Sequence, residues 1–507
     1  MLSKYLKHKL KSPRLHRFLK QEDTDKHNKR IPEIATDERV REIDHFERNA
    51  LHIACANPNM TLDTMDILLE MHPDGLSEQD KSGRIPFHVA VSHQTSRNFL
   101  QYLIDQYPEC MQEKTKFGAS PLIVAIEQGA PMHIIKWLYQ KDPGAIDDRY
   151  KFAKNALHTA CSRQGSPELI QYLLELRPKQ TKGKDSWGRT PLWRACNEPK
   201  TSKEVLHLLL NPVDVQVADR GGLLPIHAAA SNATPVDTLA LILGAAPETI
   251  RAKDHQGRLP FHSACAGGNA SVEILQFLLD AYPDAIRVMD KNGALPFHLV
   301  LKRKAEPDIL AYLMEEYPDA VRTSEKLSGA YPFHFACQTG VQMEIIEVLY
   351  QAYPEAATEL DRDGNTVLHL VCQRRPSVEL VEFLLEKFPE SPEISNNAKY
   401  LPLHIAIDNR CGWPILDMLL QRNPASIHTV NGKGRLPLHD AFRVRAPMTT
   451  LVRLAQMYPT GLDSTDNFDK HPDEYATELF AEQFYKAQRN YNCRHAWCPC
   501  LIRAPKK

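Results

Sequence analysis

Twenty-two histidines and eleven cysteines in a 507-residue chain raise metal binding and acid–base catalysis as the first questions. The spacing argues against both. Ten histidines fall in one series: His52, His88, His158, His227, His262, His298, His334, His369, His404 and His439. Ile123 and Trp193 fill the two remaining places, so twelve positions succeed one another at steps of 34 to 36 residues. A metal site needs three or four ligands converging on one point. One histidine per copy, with copies stacked roughly 10 Å apart, supplies one ligand at a time. The histidines therefore read as structural, and no catalytic residue, cofactor or metal is expected. Phosphate-loop, dinucleotide, zincin and kinase signatures are all missing from the sequence.

The cysteines follow the same rhythm. Cys55, Cys161, Cys196, Cys265, Cys337 and Cys372 each lie three residues after the histidine position, where other copies carry Val91, Ala230 or Ile407. That slot takes a small or medium apolar side chain, and a free thiol behaves as one. Reduced, buried thiols point to a cytoplasmic or nuclear compartment. Cys493, His495, Cys498 and Cys500 stand apart. Four ligands within eight residues are too crowded for an ordinary zinc site, so this stretch reads as a tail. Metal binding, or lipidation beside Arg494, Arg503, Lys506 and Lys507, are its alternatives.

A different chemistry collects at three successive turns. Lys114, Lys116 and Phe117 lie in the first, Arg149, Tyr150, Lys151 and Phe152 in the second, and Lys184, Trp187 and Arg189 in the third. Most other turns are small and polar. Equivalent turns of stacked copies line up along one edge, so these place aromatic rings among cations. Exposed aromatics flanked by arginine anchor protein interfaces, and the cations favour a partner with an acidic segment. The competing reading is packing of the rings against neighbouring turns. A single-stranded nucleic acid would suit such a mixture too, but the net charge of −1 argues against it.

The elements that position these residues repeat with the histidines. A turn comes first, as in Asp254-His255-Gln256-Gly257. Proline opens a short helix in nine of twelve copies, at the position that tolerates its missing N–H. A second, amphipathic helix follows, such as Ser271 to Leu279, with Ser271 and Ser377 as N-caps. A proline about twenty residues after each histidine position then ends it, often as Tyr-Pro: Tyr282-Pro283, Tyr317-Pro318, Tyr353-Pro354. A period held over twelve copies predicts an all-α solenoid of about twelve units of ~35 residues.

The unit resembles the ankyrin repeat. Thr190-Pro191-Leu192 matches the Thr-Pro-Leu-His signature with Trp193 for histidine, and Thr366-Val367-Leu368-His369 with valine for proline. The Leu-Pro-Leu-His form and the Tyr-Pro ending are similar to a divergent subgroup found in some algae and other protists. The resemblance implies two antiparallel helices per unit and a long binding surface of hairpin tips and first helices. It also implies a non-catalytic role, holding partner proteins. In that family the threonine hydroxyl bonds the histidine ring. Seven copies here replace it with an apolar residue, Ile85, Leu224, Leu259, Leu295, Tyr331, Leu401 and Leu436. Their histidines are expected to bond backbone groups of the adjacent unit instead.

The organisation expected is a basic tail at 1–37, twelve repeats over 38–470, a degenerate capping unit at 471–490 and a cysteine-containing tail at 491–507. The function expected is a monomeric scaffold or adaptor for protein partners, with no nucleic acid. The alternative is a membrane-tethered recruiter, using the basic segment of Lys4, Lys7, Lys9, Lys11, Arg14, Arg17 and Lys20 or the cysteine tail.

Overall fold

In the computed structural model of the chain, residues 40–494 are described, except 94, 95, 269, 304 and 305. The basic segment at 1–37 and the cluster His495, Cys498 and Cys500 lie outside the described residues, as does the side chain of Cys493. The described residues form two compact bodies, divided between His255 and Gln256. Among the described residues there are 25 α-helices and no strand. No described helix is long and apolar enough to cross a membrane.

One repeat of the second body shows how the sequence builds the unit. Pro260 opens a helix over Pro260–Gly267, and Phe261, His262, Ala264 and Cys265 are all buried on it. A run this apolar has no free face, and it packs against the first helix of the next repeat, Pro296–Lys302. The second helix, Val272–Ala281, is capped by the Ser271 side chain, which accepts from the Ile274 N–H at 3.4 Å. Ile274, Leu275, Leu278 and Leu279 are buried on it, while Phe277 is half-buried. Burying each such side chain contributes about 1.5–3 kcal/mol.

The proline after the second helix does more than stop it. Tyr282 sits at φ −150°, outside the helical region, and Pro283 opens a short 3₁₀ helix, Pro283–Arg287. That turn buries Ala285 and Ile286. The same construction recurs at Pro108–Met111, Pro247–Arg251, Pro318–Arg322 and Pro424–His428. Proline suits the first position of such a turn for the same reason as in an α-helix.

Each repeat then returns through a hairpin stitched to the hairpin before it. The Lys291 N–H donates to the Gln256 carbonyl at 2.8 Å, Leu327 to Asn292 at 2.9 Å and Arg362 to Ser328 at 2.8 Å. Within a hairpin an aspartate braces the turn: Asp290 Oδ1 accepts from the N–H groups of Asn292 and Ala294 at 2.9 and 3.0 Å. Gly293 follows at φ +75°, and a Cβ there would lie 2.4 Å from Lys326 Cγ. Both facts require glycine.

The histidines find backbone partners, as the loss of threonine demands. In the apolar-capped copies the N–H of the capping residue donates to Nδ1, as Leu259 does to His262 at 3.3 Å and Leu295 to His298 at 3.0 Å. Nδ1 is thus the acceptor, and the ring proton sits on Nε2. In four of these copies Nε2 donates to a carbonyl 25 or 26 residues on, Val288 from His262 at 2.9 Å, Thr323 from His298 at 2.8 Å, Glu359 from His334 at 3.0 Å and Thr429 from His404 at 3.1 Å. His439 reaches Lys470 instead, at 3.2 Å, and His88 Nε2 faces the Ala119 and Glu113 carbonyls without a well-formed bond. Thr366 retains the family's contact, with its hydroxyl 2.8 Å from His369 Nδ1.

At the end of the second body the chain forms a 3₁₀ turn, Pro472–Tyr475, and a last helix, Glu478–Arg494. Phe484 and Tyr485 are buried there, and Phe484 packs on Phe442 with ring centroids 4.9 Å apart. Leu479 does not join them and is 66% exposed.

Burial dominates the charge state of the histidines. It pushes His88, His158, His298 and His404 down to about 4, against a partial offset from their carbonyl partners. The unfolded chain takes up these protons near pH 6.5, and the folded chain only near pH 4. The unfolded state therefore binds more protons across that window, and stability falls as acid is added through it. By pH 5 each of these four should have lost on the order of 1–2 kcal/mol. Melting followed by circular dichroism should give a clearly lower Tm at pH 5 than at pH 7.5. A flat Tm over that range would show that the buried rings accept protons without cost.

Candidate binding edge

The three unusual turns of the first body occupy equivalent places. The Lys151 N–H donates to the Phe117 carbonyl at 2.9 Å, the Ser186 N–H to the Phe152 carbonyl at 2.8 Å and the Arg220 N–H to the Trp187 carbonyl at 2.8 Å. Phe117, Phe152 and Trp187 are thus the apex residues of three successive hairpins, held in register by one backbone bond each. They are 50%, 49% and 38% exposed. Phe152 and Trp187 touch, with ring centroids 4.5 Å apart, a contact worth about 0.5–1.5 kcal/mol.

The middle hairpin breaks the pattern of its neighbours. Tyr150 stands where most copies have the bracing aspartate, and Ala153 where they have glycine. Phe152 and Ala153 both adopt the left-handed region, at φ +67° and +59°. What holds this turn is the tyrosine. Its ring is buried, its hydroxyl donates to the Glu127 carboxylate at 2.8 Å, and Glu127 also pairs with Arg163 at 3.1 Å. Burial first, and then the Glu127 carboxylate, push the Tyr150 hydroxyl pKa up, so it stays a donor. Tyr150 and Lys154 also exchange both backbone bonds at 2.8 Å, pinning the base of the turn.

Six of the ten residues singled out by sequence line one cleft of about 470 Å³: Lys116, Phe117, Arg149, Tyr150, Lys151 and Phe152, joined by Ala153. The Lys151 ammonium lies 5.0 Å from the centre of the Phe117 ring. Arg149 donates to the Ala153 carbonyl at 3.2 Å, and Lys116 to the Lys81 carbonyl at 3.0 Å. Trp187 adjoins this group through Phe152. The remaining three do not line it. Lys114 pairs with Asp148 at 2.5 Å. Lys184 is exposed on the way into the third hairpin. Arg189 is half-buried, its guanidinium 4.3 Å from the centre of the Trp193 ring and 5.3 Å from that of Trp187.

Sequence reasoning passed over Glu127, Ala153 and Arg194. Arg194 lies 5.4 Å from the centre of the Trp187 ring and pairs with Asp185 at 2.6 Å. Burial opposes the charge of Asp185, yet hydrogen bonds from Arg189, Arg194 and Trp187 hold its pKa below the usual value. The missing glycine at 153 was a visible signal of an unusual turn. Nothing in the sequence pointed to Glu127, which lies 23 residues from Tyr150. Among the described residues no group of three or more His, Cys, Asp or Glu side chains gathers as a metal site.

The packing and binding readings of these aromatics separate by residue. Tyr150→Ala should cost about 2–4 kcal/mol by emptying a buried site and stranding Glu127. Phe117→Ala should cost less than about 1 kcal/mol. Ala153→Gly should stabilise by about 1 kcal/mol, because glycine carries no left-handed penalty. Thermal melts of the three variants check this order. A Phe117→Ala protein that melts as early as Tyr150→Ala would make the apex ring part of the core.

A family model for ankyrin repeats in three copies matches residues 51–145, 122–219, 298–399 and 333–431, which together cover more than half of the chain. No curated protein matches it. The matches fall in both compact bodies and coincide with the paired helices and hairpins described above. The chain belongs to the ankyrin repeat family, whose members are protein-interaction modules.

Proposed function

We propose that this protein is a non-catalytic scaffold or adaptor, and that it holds a partner protein along the hairpin edge marked by Phe117, Phe152 and Trp187. The carrying observation is three large rings, exposed and in register on consecutive hairpins. A folded chain in water leaves such rings exposed at a cost that contact with a partner recovers. The cations among them, Lys116, Arg149 and Lys151, give the edge a positive field and favour a partner with an acidic segment. The eight described cysteines are buried and unbridged, in keeping with work in a reducing compartment, the cytoplasm or nucleus. The working form proposed is a monomer.

The test is affinity capture from the native cell with the whole chain as bait. Wild type is compared with the triple variant Phe117→Ala, Phe152→Ala, Trp187→Ala, after matched melting curves. The variant should lose, by tenfold or more, proteins that the wild type retains. Recovery of the same proteins by both would place the contact surface away from these hairpins.

A further inference from the structure

In most hairpins the amide of the apex residue is capped from inside its own turn. The Ser82 N–H donates to Asp80 Oδ1 at 2.8 Å, Trp187 to Asp185 at 2.9 Å, Asn292 to Asp290 at 2.9 Å and Phe468 to Asp466 at 2.9 Å. Two adjacent hairpins lack that carboxylate. Thr115 stands in its place in one, and its hydroxyl accepts from the Ala119 N–H at 3.1 Å. Tyr150 stands there in the other and sends its hydroxyl away to Glu127. The amides of Phe117, Phe152 and Ala153 accordingly find no acceptor among the described residues. All three residues line the cleft.

Each replacement also removes a negative charge from a tip that is rich in cations. Lys116, Arg149 and Lys151 line the same cleft, and no carboxylate does. Lys116 and Arg149 reach only backbone carbonyls, and Lys151 lies over the Phe117 ring. The neighbouring acids are engaged elsewhere, Asp148 by Lys114 and Glu127 by Tyr150 and Arg163. The backbone bond from Lys151 to Phe117 holds the two open tips side by side. A pair of regular hairpins would supply two carboxylates here. One external group that replaces both must carry more than one charge and offer oxygens to amides on two turns. A phosphate monoester brings about −1.5 to −2 charges and three acceptor oxygens, and open amides beside cations are its usual partners. A single carboxylate, or the phosphodiester of a nucleic acid, brings one charge and two free oxygens.

Resting on the docking edge proposed above, we infer that the partner's acidic segment is phosphorylated and that its phosphoryl group seats in this cleft, between the tips of Phe117 and Phe152. The open amides and the three cations hold the phosphoryl oxygens. Phe117, Phe152 and Trp187 hold the apolar residues on either side of it. Binding along this edge is thereby conditional on modification of the partner, and it weakens with salt.

The experiment titrates labelled nine-residue peptides with the full-length protein by fluorescence anisotropy. Their centre is phosphoserine, paired glutamates or serine, between degenerate flanks of leucine, glycine and glutamate. The phosphoserine peptides should bind at least tenfold more tightly than either of the others. Thr115→Asp restores the carboxylate of a regular hairpin, so it should keep the Tm and weaken phosphoserine binding fivefold or more. Lys116→Glu/Lys151→Glu, at two exposed tip positions, should weaken it tenfold or more at unchanged Tm. Equal binding of the paired-glutamate peptides, or undiminished binding by either variant, would overturn the phosphoryl site. Twelve deoxythymidines or phosphatidic acid vesicles that displace the probe more readily than unlabelled phosphopeptide would overturn the protein occupant. Phosphatase treatment before affinity capture separates this inference from the edge itself. If partners are still captured after it, and are lost with the aromatic variant, the phosphoryl group falls and the docking edge stands. Capture that survives the aromatic variant removes the edge.

Discussion

One hydrogen bond organises the hairpin side of each body. The amide just before the apex of one hairpin donates to the apex carbonyl of the hairpin before it, from Lys116 and Ser82 to His255 and Gly221 in the first body, and from Lys291 and Gln256 to Asn467 and Lys433 in the second. Because it joins backbone to backbone at a fixed place in each turn, it sets the register of the tips. In the copies of His262, His298 and His334 the histidine bond acts on the other flank, tying the short first helix to the chain entering the next hairpin. Where both are present, these two polar contacts lock what the buried phenylalanines and leucines merely hold together.

The middle of the aromatic edge shows how much the rule can bend. Its hairpin lacks both the bracing carboxylate and the glycine that relieves the turn, and places two non-glycine residues in the left-handed region. The loss is offset from below: Tyr150 reaches the helix Pro121–Gln128 through Glu127, and the base of the turn gains a paired bridge to Lys154. The result is a cleft walled by Phe117 and Phe152. A glycine and an aspartate in the usual places would have given a turn like its neighbours. The departure from pattern and the candidate site are the same residues.

Much of this architecture is legible in the sequence. The twelve-fold recurrence of one histidine position and one proline gave the paired helices, and the serine caps at Ser271 and Ser377 hold as read. The partners of His262 and His298 followed from the loss of threonine. Other features depend on packing, which periodicity does not encode. Leu279 and Phe277 look alike in sequence, and only the neighbouring helix decides that one is buried and the other half-exposed. Leu479 is exposed although Phe484 and Tyr485 on the same helix are buried. At the site, alignment of the three turns was legible from spacing. The pairing of Lys114 with Asp148 and the anchoring of Tyr150 on Glu127 were not, since each joins positions tens of residues apart.

The apex position separates backbone from side chain. Its carbonyl makes the same bond in every hairpin, while its side chain differs from one hairpin to the next. Phenylalanine, tryptophan, serine, asparagine, aspartate, alanine and lysine all accept the same bond from Phe46 to Lys433. A letter can be exchanged there without disturbing the grammar of the stack. Within each body the tips are therefore a line of independently writable characters, since the bond that holds them in register does not depend on which letter stands there.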